Sequence, residues 1–283
     1  HRLLGALRAP VQLGEIEVTA STSMGISCFP EDGEDAETLI RNADTAMYAA
    51  KASGRDGMSF FTPSMNAQAV RRLSIEAGLR RALEREEFEL HYQPVFAIKA
   101  GQVYGAEALL RWHDPARGLI PPGEFLGVAE QSGLILPIGD WVMHAACRQA
   151  QAWRQAGLQP VPVLVNLSAR QLTRGNVVAL VERALADTGL PPEGLCVEIT
   201  ESTLMERVDD VLPMLHRLRE IGVRIAVDDF GTGYSSLAYL SQLPLNVLKI
   251  DRSFVQAADR EHHPAVITKA VINLARDLGL MVV

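Results

Sequence analysis

Cysteine is scarce in this sequence of 283 residues, and the few cysteines present do not cluster. Cys28, Cys147 and Cys196 lie far apart, and each sits inside an apolar stretch. This spacing excludes a disulfide framework and a cysteine metal site, and it predicts three buried, reduced thiols. Reduced thiols indicate a cytoplasmic location for this chain, and they leave open whether a longer parent protein is tethered to a membrane.

Long apolar runs and an excess of positive charge are also missing. No stretch of about 18 apolar residues occurs, so the sequence predicts no membrane-spanning helix. Lys and Arg number 27 against 34 Asp and Glu, which gives a net charge of −7. That balance argues against DNA or RNA as a partner, because nucleic acid binding needs a basic surface. A phosphate ligand would need a local group of cations, and metal ions held by carboxylates are one way to provide it.

The chain divides by pattern into three regions. Residues 1–61 predict a strand over 17–26 and a helix over 36–52, which is too little chain for a large core of its own. We interpret this region as the C-terminal part of a domain. Residues 62–87 predict a charged amphipathic helix that acts as a linker. Residues 88–283 form the main domain.

From residue 88 onward, strand-like runs alternate regularly with helical patterns. Strand, helix, strand is the signature of a parallel sheet with crossover helices. Six such strands in one series, with no GxGxxG fingerprint, favour a TIM-like (β/α) barrel over a doubly wound sheet. A seventh strand begins at 279–283, where the sequence stops, so we expect an α/β barrel truncated at its seventh strand and incomplete at its C-terminus. The predicted strands are 88–95, 103–112, 161–167, 195–199, 223–227 and 247–250, and the predicted helices are 123–131, 141–156, 177–188, 208–221, 235–243 and 265–278.

Polar side chains interrupt or end these apolar strands one after another. In a barrel of this kind the functional groups lie at the carboxyl ends of the strands, so the polar side chains should meet at one mouth. Hard oxygen ligands without His or Cys favour Mg²⁺ or Mn²⁺ over zinc. The adjacent pair Asp228 and Asp229 suits two ions, since one carboxylate bridges while the other serves the second ion, and paired ions act on phosphodiesters. The set is Glu107, Asn166, Glu198, Asp228, Asp229 and Lys249.

Each member of this set also has an ordinary structural interpretation. A single glutamate in a barrel strand is commonly half of an internal ion pair, and Lys249 with Asp251 would make another. Asn166 alone would be an Asx turn, and Asp228-Asp229 alone a strand-to-loop cap. Stability does not explain such groups on five successive strands at one end, because a buried charge is costly unless it is compensated. The set as a whole therefore predicts a functional site.

The same residues lie within a series of short motifs. These are YQP at 92–94, EALLRW at 107–112, NLS at 166–168, EITE at 198–201, DDFGTGYSS at 228–236 and LKID at 248–251. In this order, over residues 88–283, the motifs resemble those of the EAL domain family, which the hexapeptide names. The resemblance implies a modified TIM-like barrel whose first strand is antiparallel. It also implies hydrolysis of cyclic di-GMP to linear pGpG with two Mg²⁺ or Mn²⁺ ions, and a homodimer formed through this domain.

The resemblance further implies a role for each candidate residue. Lys249 resembles the residue that orients or helps to activate the attacking water. Arg111 resembles a contact to a substrate phosphate, and Gln93 lies along the substrate. Glu201 resembles the acid that holds the loop at 229–236 in place. The resemblance implies that this loop is a mobile element. The first metal's ligands are Glu107, Asn166, Glu198 and Asp228, the second metal's protein ligands are Asp228 and Asp229, and Glu107, Asp228 and Asp229 are thereby catalytic as well.

The first region resembles a second family. SMGI at 23–26, ADTAMYAAK at 43–51 and GR at 54–55 are similar to the tail of a GGDEF (diguanylate cyclase) domain. The turn that names that family and its nucleotide-binding half do not occur in the sequence, so we expect no cyclase activity from this chain. Together the two resemblances imply a piece of a bacterial GGDEF–EAL signalling protein.

Two alternatives to a phosphodiesterase stay open at this point. A catalytically inactive module would bind cyclic di-GMP as a sensor, although the intact candidate residues favour catalysis. An unrelated barrel enzyme acting on another phosphate ester would share the metals but not the placement of Gln93 and Arg111. The family continues past the position of Val283 to a further metal-site glutamate and an eighth strand, so the activity of this chain as written is a separate question.

Overall fold

The structure is a computed structural model of the chain. It describes residues 11–14, 16–18, 22–52, 57–97, 102–231, 240, 242–258 and 262–283. The chain divides into two compact units, residues 1–77 and residues 78–283. Across the described ranges, no helix has the length and apolar character needed to cross a lipid bilayer.

In the first unit, one helix packs on a pair of short strands. Strands β3 (Met24–Ile26) and β4 (Met58–Phe60) pair in parallel, and helix α1 (Ala36–Ala52) lies between them in the chain. The helix begins after Asp35, whose Oδ1 accepts the backbone N–H of Thr38 at 2.8 Å and so caps the first turn. The predicted helix over 36–52 is confirmed.

The strand predicted over 17–26 is wrong as a single element. The structure has β2 (Ile16–Val18), which pairs antiparallel with β1 (Val11–Leu13), and it has β3 as a separate strand. These two pieces belong to different two-stranded sheets, and residues 22 and 23 before β3 are not in a strand, while residues 19–21 lie outside the described residues. The alternating pattern predicts extended backbone, but it does not show where the backbone changes from one strand partner to another. The next element is helix α2 (Pro63–Glu84).

The second unit is built on one sheet of eight strands. They are β5 (Phe88–Ala97), β6 (Gln102–Asp114), β7 (Gly118–Ile120), β8 (Val163–Asn166), β9 (Leu195–Thr200), β10 (Arg224–Phe230), β11 (Val247–Ile250) and β12 (Met281–Val282). The order is β12-β11-β10-β9-β8-β6-β5, with β7 paired to the end of β6. β5 runs antiparallel to β6, whereas the neighbours from β6 to β12 along this order are parallel. This arrangement confirms the TIM-like barrel fold with an antiparallel first strand, and it confirms the seventh predicted strand.

Helices alternate with these strands. They are α3 (Pro122–Ser132), α4 (Ile135–Gln155), α5 (Ala169–Arg174), α6 (Val177–Thr188), α7 (Glu201–Glu206), α8 (Val208–Ile221), α9 (Arg252–Ala258) and α10 (His262–Asp277). The predictions for α6 and α8 match to the residue, while α4 begins at Ile135 rather than at 141. Helices α5, α7 and α9 escaped prediction because one or two turns are too short to show a helical period. The helix predicted over 235–243 falls mostly on residues outside the described ranges.

Two of the three cysteine predictions are confirmed and one is wrong. Cys147 and Cys196 are buried, and burial raises the pKa of the Cys147 thiol to about 12. Cys28 is exposed, as is the neighbouring Phe29. The apolar stretch around Cys28 is a turn that follows β3 rather than part of a strand, and Asp32 Oδ2 accepts the Cys28 backbone N–H at 2.7 Å.

Candidate active site

The site rests on an apolar layer inside the sheet. Each of five strands contributes one buried side chain to this layer, and those five side chains pack together as one cluster. Because alternate residues of a strand face the same side, the residue two positions nearer the mouth lies directly above each member. The apolar layer is Val95, Leu164, Cys196, Ala226 and Val247, and the layer above it is Gln93, Asn166, Glu198, Asp228 and Lys249.

Strand β6 supplies the remaining acid to this polar layer. Glu107 lies opposite Gln93 in the register of β5 and β6, and it is held between the buried residues Ala106 and Ala108. Two positions below it, Gly105 leaves the room that Leu164 fills, since a Cβ at Gly105 would lie 2.6 Å from Leu164 Cδ1. The barrel therefore brings side chains from six strands to one level at its mouth.

The ammonium group of Lys249 lies at the centre of three carboxylates. Nζ donates to Glu107 Oε2 at 2.9 Å and to Asp228 Oδ2 at 3.0 Å. It also donates to Glu198 Oε2 at 3.1 Å. One oxygen from each of the three acids lies within 4.8 Å of the others. Three carboxylates facing one ammonium leave an excess of negative charge, which favours further cations at this point.

Burial and the neighbouring charges both shift the pKa values of Glu198 and Lys249. Burial raises the pKa of Glu198 to about 7, a rise that Lys249 opposes and that Glu107 and Asp228 reinforce. Burial by itself lowers the pKa of Lys249, but the surrounding carboxylates outweigh it and raise that pKa above its ordinary value. Lys249 therefore stays protonated, and it supplies a permanent positive charge beside the acids.

The donor set of the cluster fits a divalent cation. Glu198 Oε1 is buried and, among the described residues, forms no hydrogen bond, although Lys249 Nζ approaches it to 3.0 Å as an ion pair. Asn166 donates through its side-chain Nδ2 to Glu107 Oε1 at 2.9 Å, which places its amide group beside the cluster. Carboxylate and amide oxygens with no sulfur are the ligands that hard divalent ions prefer.

Asp229 follows the cluster in an unusual backbone conformation. Its φ is +54°, a left-handed value that few residues other than glycine adopt but that aspartate tolerates. In this conformation its backbone N–H donates to Asp228 Oδ1 at 2.9 Å and fixes that carboxylate. Partial desolvation of the carboxyl, together with the charges of Asp228 and Asp251, raises the pKa of Asp229. The side chain itself is exposed at the mouth.

Glu201 holds the start of the loop that leaves β10. It is fully buried at the beginning of α7, and its Oε2 accepts the backbone N–H of Gly231 at 2.6 Å. Gly231 has a φ of +105°, and a Cβ there would lie 2.9 Å from the ring of Phe254 in α9. Glu201 and Phe254 thus contact the same glycine. The rest of the predicted loop, 232–236, lies outside the described residues.

Gln93 and Arg111 lie beside the cluster rather than within it. Both are on the ribbon face that carries Glu107, Gln93 directly opposite it and Arg111 four residues further along β6. Arg111 is half-buried, and its Nη1 donates to the carbonyl oxygen of Leu110 at 2.9 Å. Within the described part of the chain, neither side chain joins the hydrogen bonds around Lys249.

Two contributions to the site escaped sequence reasoning. The hydrogen bond between Asn166 and Glu107 forms because β8 and β6 are neighbours in the sheet. The sequence around either residue does not predict that these two strands are neighbours. The contact of Phe254 with Gly231 likewise joins elements that are distant in the chain. Phe254 lies three residues after the LKID motif, and this position is the one sequence feature that could have pointed to it.

A sheet of parallel strands with an antiparallel first strand, and with acids and a lysine at one mouth, defines a TIM-like barrel of the EAL type. The chain belongs to the EAL domain family, whose model matches residues 76–283. The model of the diguanylate cyclase, GGDEF domain matches residues 1–57. Members of the EAL family that act as phosphodiesterases use divalent metal ions.

Several curated proteins match over the full length of the chain. It is 45% identical to the bifunctional diguanylate cyclase/cyclic di-GMP phosphodiesterase MucR of Pseudomonas aeruginosa and 40% identical to the cyclic di-GMP phosphodiesterase PdeR of Escherichia coli. The chain spans only 41% and 42% of the lengths of these two relatives. Among solved structures, the MucR phosphodiesterase in complex with c-di-GMP is 46% identical with a TM-score of 0.71, over 74% of this chain and 85% of that one.

Proposed function

We propose that this chain carries a cyclic di-GMP phosphodiesterase domain, which hydrolyses one phosphodiester bond of cyclic di-GMP to give linear pGpG. The observation that carries the proposal is the convergence of Glu107, Glu198 and Asp228 on Lys249 at the mouth of the barrel. The names of the relatives support the choice of substrate, and the full coverage of this chain in each match supports the transfer of that choice.

The proposed cofactors are two divalent ions, Mg²⁺ or Mn²⁺. We assign Glu107, Asn166, Glu198 and Asp228 to the first ion and the pair Asp228 and Asp229 to the second. When bound, such ions polarise a phosphoryl oxygen and lower the pKa of water, which supplies a nucleophile near neutral pH. The buried, unbonded Glu198 Oε1 and the fixed Asp228 carboxylate support this assignment, because both present oxygen atoms already held in place.

Each remaining residue has a role set by its position. Lys249 is a permanent cation beside the acids, and we propose that it orients the attacking water and stabilises negative charge on the phosphate. Arg111 binds a substrate phosphate through its planar guanidinium group. Gln93, level with Glu107 on the neighbouring strand, contacts the substrate along the ribbon. Glu201 positions the loop after Asp229 through Gly231.

The organisation of the chain is part of the proposal. We propose a C-terminal piece of a GGDEF domain over 1–61, a helical linker over 62–87 and an EAL domain over 88–283. We do not propose diguanylate cyclase activity for this chain. Homodimerisation through the EAL domain and a cytoplasmic location complete the proposal, and analytical ultracentrifugation of the purified chain tests the first of these.

The test is an assay of the purified chain with cyclic di-GMP and Mg²⁺ or Mn²⁺. We expect linear pGpG, resolved by chromatography, to appear with native protein and to be absent with Glu107→Gln. A matched control is Glu206→Gln, an exposed position on α7 outside the cluster. If the chain binds cyclic di-GMP tightly and no pGpG forms, the chain is a sensor of cyclic di-GMP and the proposed enzymatic activity is overturned. Product from Glu107→Gln at the native rate would overturn the metal assignment.

A further inference from the structure

Glu89 on β5 faces Arg111 across the β5–β6 ribbon but does not pair with it. The two residues are direct partners in the strand register, and opposite charges in such positions ordinarily attract each other. Among the described residues, however, Arg111 forms no ion pair with Glu89 or with another acid, and its Nη1 donates to the carbonyl oxygen of Leu110 instead. The guanidinium group therefore lies beside a carboxylate that is engaged elsewhere.

Two imidazoles hold the Glu89 carboxylate. His91 Nε2 lies 2.6 Å from Glu89 Oε1, and His113 Nε2 lies 2.7 Å from the same oxygen, on its opposite side. These hydrogen bonds, the one from His113 first, lower the pKa of the Glu89 carboxyl, so the group is ionised at neutral pH. An ionised carboxylate only accepts hydrogen bonds, so each Nε2 carries a proton and is the donor.

The strand register explains how both histidines reach this carboxylate. His91 is two residues from Glu89 on β5, so the two side chains project from the same face. His113 is two residues beyond Arg111 on β6, which makes it the diagonal neighbour of Glu89 on that face. The histidines thus approach along the strand and along the diagonal, and the position directly opposite Glu89 is left to Arg111.

The other acids near this end of the ribbon have partners of their own. Glu87 Oε2 accepts an indole N–H at 3.1 Å, and Asp114 Oδ2 accepts from Arg117 Nη2 at 2.9 Å. Glu89 is therefore the acid whose release from its hydrogen bonds would place a competing charge beside Arg111.

We propose that His91 and His113 are positioning residues that hold the Glu89 carboxylate away from Arg111 and so keep the guanidinium group available to a phosphate of the substrate. The inference rests on the proposed function, in which Arg111 contacts that phosphate. Without the imidazoles, Glu89 pairs with Arg111, and the substrate has to displace this ion pair in order to bind. Because Glu89 is half exposed, the ion pair is of the weak surface type, and its displacement weakens substrate binding by roughly 2–5-fold.

The first experiment measures kcat and KM for cyclic di-GMP in His91→Val/His113→Val, since valine suits a strand but cannot donate a hydrogen bond. We expect KM to rise roughly 2–5-fold, with kcat nearly unchanged. Addition of Glu89→Gln should return KM to the value of Glu89→Gln alone, because the competing charge is gone. A loss of packing would not be repaired by this third substitution, so a KM that stays raised overturns the proposal.

Two control variants accompany this measurement. His91→Gln/His113→Gln retains an N–H donor at each position and should keep KM near the native value. His216→Gln removes an exposed histidine on α8 and should change neither kcat nor KM. Circular dichroism verifies the fold of each variant, and the single valine variants replace the double one if it fails to fold.

A second measurement does not depend on the substrate. A dicarbonyl reagent selective for arginine modifies an unpaired guanidinium group faster than one held in an ion pair. Mass spectrometry of peptides gives the rate at Arg111 relative to the exposed Arg219 on α8. We expect this rate to fall in His91→Val/His113→Val and to recover when Glu89→Gln is added, and an unchanged rate overturns the proposal.

Together the two measurements separate this proposal from the proposed function. A slower modification of Arg111 with an unchanged KM would confirm the role of the histidines and overturn the contact of Arg111 with the substrate. Absence of pGpG from the native chain would overturn the proposed function, and the rate of modification would still decide whether the histidines hold Glu89 away from Arg111.

Discussion

Lys249 Nζ lies 2.9 Å from Glu107 Oε2, although 142 residues separate the two in the chain. The contact joins β11 to β6 across the mouth of the barrel, on the far side of β10, β9 and β8 in the sheet order. Lys249 neutralises one of three converging carboxylate charges, and divalent ions would neutralise the others. The lysine and the proposed metal ions therefore stabilise the same group of acids.

This shared role predicts that Lys249→Met destabilises the chain most when metal is removed. Breaking a buried ion pair by deleting one partner costs about 3–5 kcal/mol, because the other charges are left uncompensated. We expect a large fall in the melting temperature in EDTA and a partial recovery with Mn²⁺. Lys51→Met is the control, since Lys51 is exposed on α1 and its loss should matter little.

Differential scanning fluorimetry in EDTA and in Mn²⁺ measures both effects. An equal fall in the melting temperature under the two conditions would contradict a shared role for the lysine and the ions.

Glu198→Gln should weaken metal binding while the fold survives. The side chain is fully buried, and the amide has nearly the same shape as the carboxylate, so packing against Cys196 and its neighbours is kept. The substitution removes one negative charge and one of the proposed ligands. We expect Mn²⁺ affinity, measured by calorimetry, to fall by roughly 10–100-fold. Glu206→Gln on the exposed side of α7 serves as the control and should bind Mn²⁺ as the native chain does.

Gly231→Ala should destabilise the start of the loop after β10. An alanine at a φ of +105° is strained, and its Cβ would lie 2.9 Å from the ring of Phe254. We expect a loss of at least about 1–2 kcal/mol in the free energy of unfolding, measured with urea. Gly123→Ala is the matched control, because nothing lies within 4 Å of a Cβ at that helical position.

The double variant Gly231→Ala/Phe254→Ala then separates the two causes. Removing the ring relieves the collision but not the backbone strain. We expect a coupling energy that offsets part of the two single losses. Strict additivity would mean that Phe254 does not contact the loop in solution.

Glu201→Leu and Glu201→Gln should differ, because only one of them removes the hydrogen bond to Gly231. The amide oxygen of glutamine can still accept the Gly231 N–H, whereas leucine leaves that N–H unpaired at a cost of about 1–3 kcal/mol. If the loop positions Asp229, kcat for cyclic di-GMP should fall strongly in Glu201→Leu and mildly in Glu201→Gln. Steady-state assays of pGpG formation measure this difference, and equal kcat values would exclude the positioning role.

Arg111→Lys tests the proposed contact to a substrate phosphate. Lysine keeps the charge but loses the planar pair of donors, so it is not an equivalent replacement. We expect a rise in KM for cyclic di-GMP with a smaller change in kcat, and a larger rise in Arg111→Ala. The free energy of unfolding should change little, since Arg111 is only half-buried. A fall in kcat with an unchanged KM would place Arg111 at the chemical step instead.

The amino-acid sequence by itself determined the barrel, the series of strands and the identity of the polar residues at their ends. Continuous apolar runs in β8 and β9 and partial alternation in β6 mark buried strands, and the motifs around Glu107, Asn166 and Glu198 carry the resemblance to the family. Local patterns are sufficient for these features because side-chain periodicity follows directly from backbone geometry. The same patterns failed over 17–26 and at Cys28, where a change of strand partner and a turn decide the outcome.

Only the tertiary structure decided how those residues meet. The position of Lys249 between three acids, the bond from Asn166 to Glu107 and the contact of Phe254 with Gly231 all join elements that are distant in the chain. Such contacts follow from strand order, register and the curvature of the sheet, which are collective properties of the packed sheet and do not appear in any local sequence pattern.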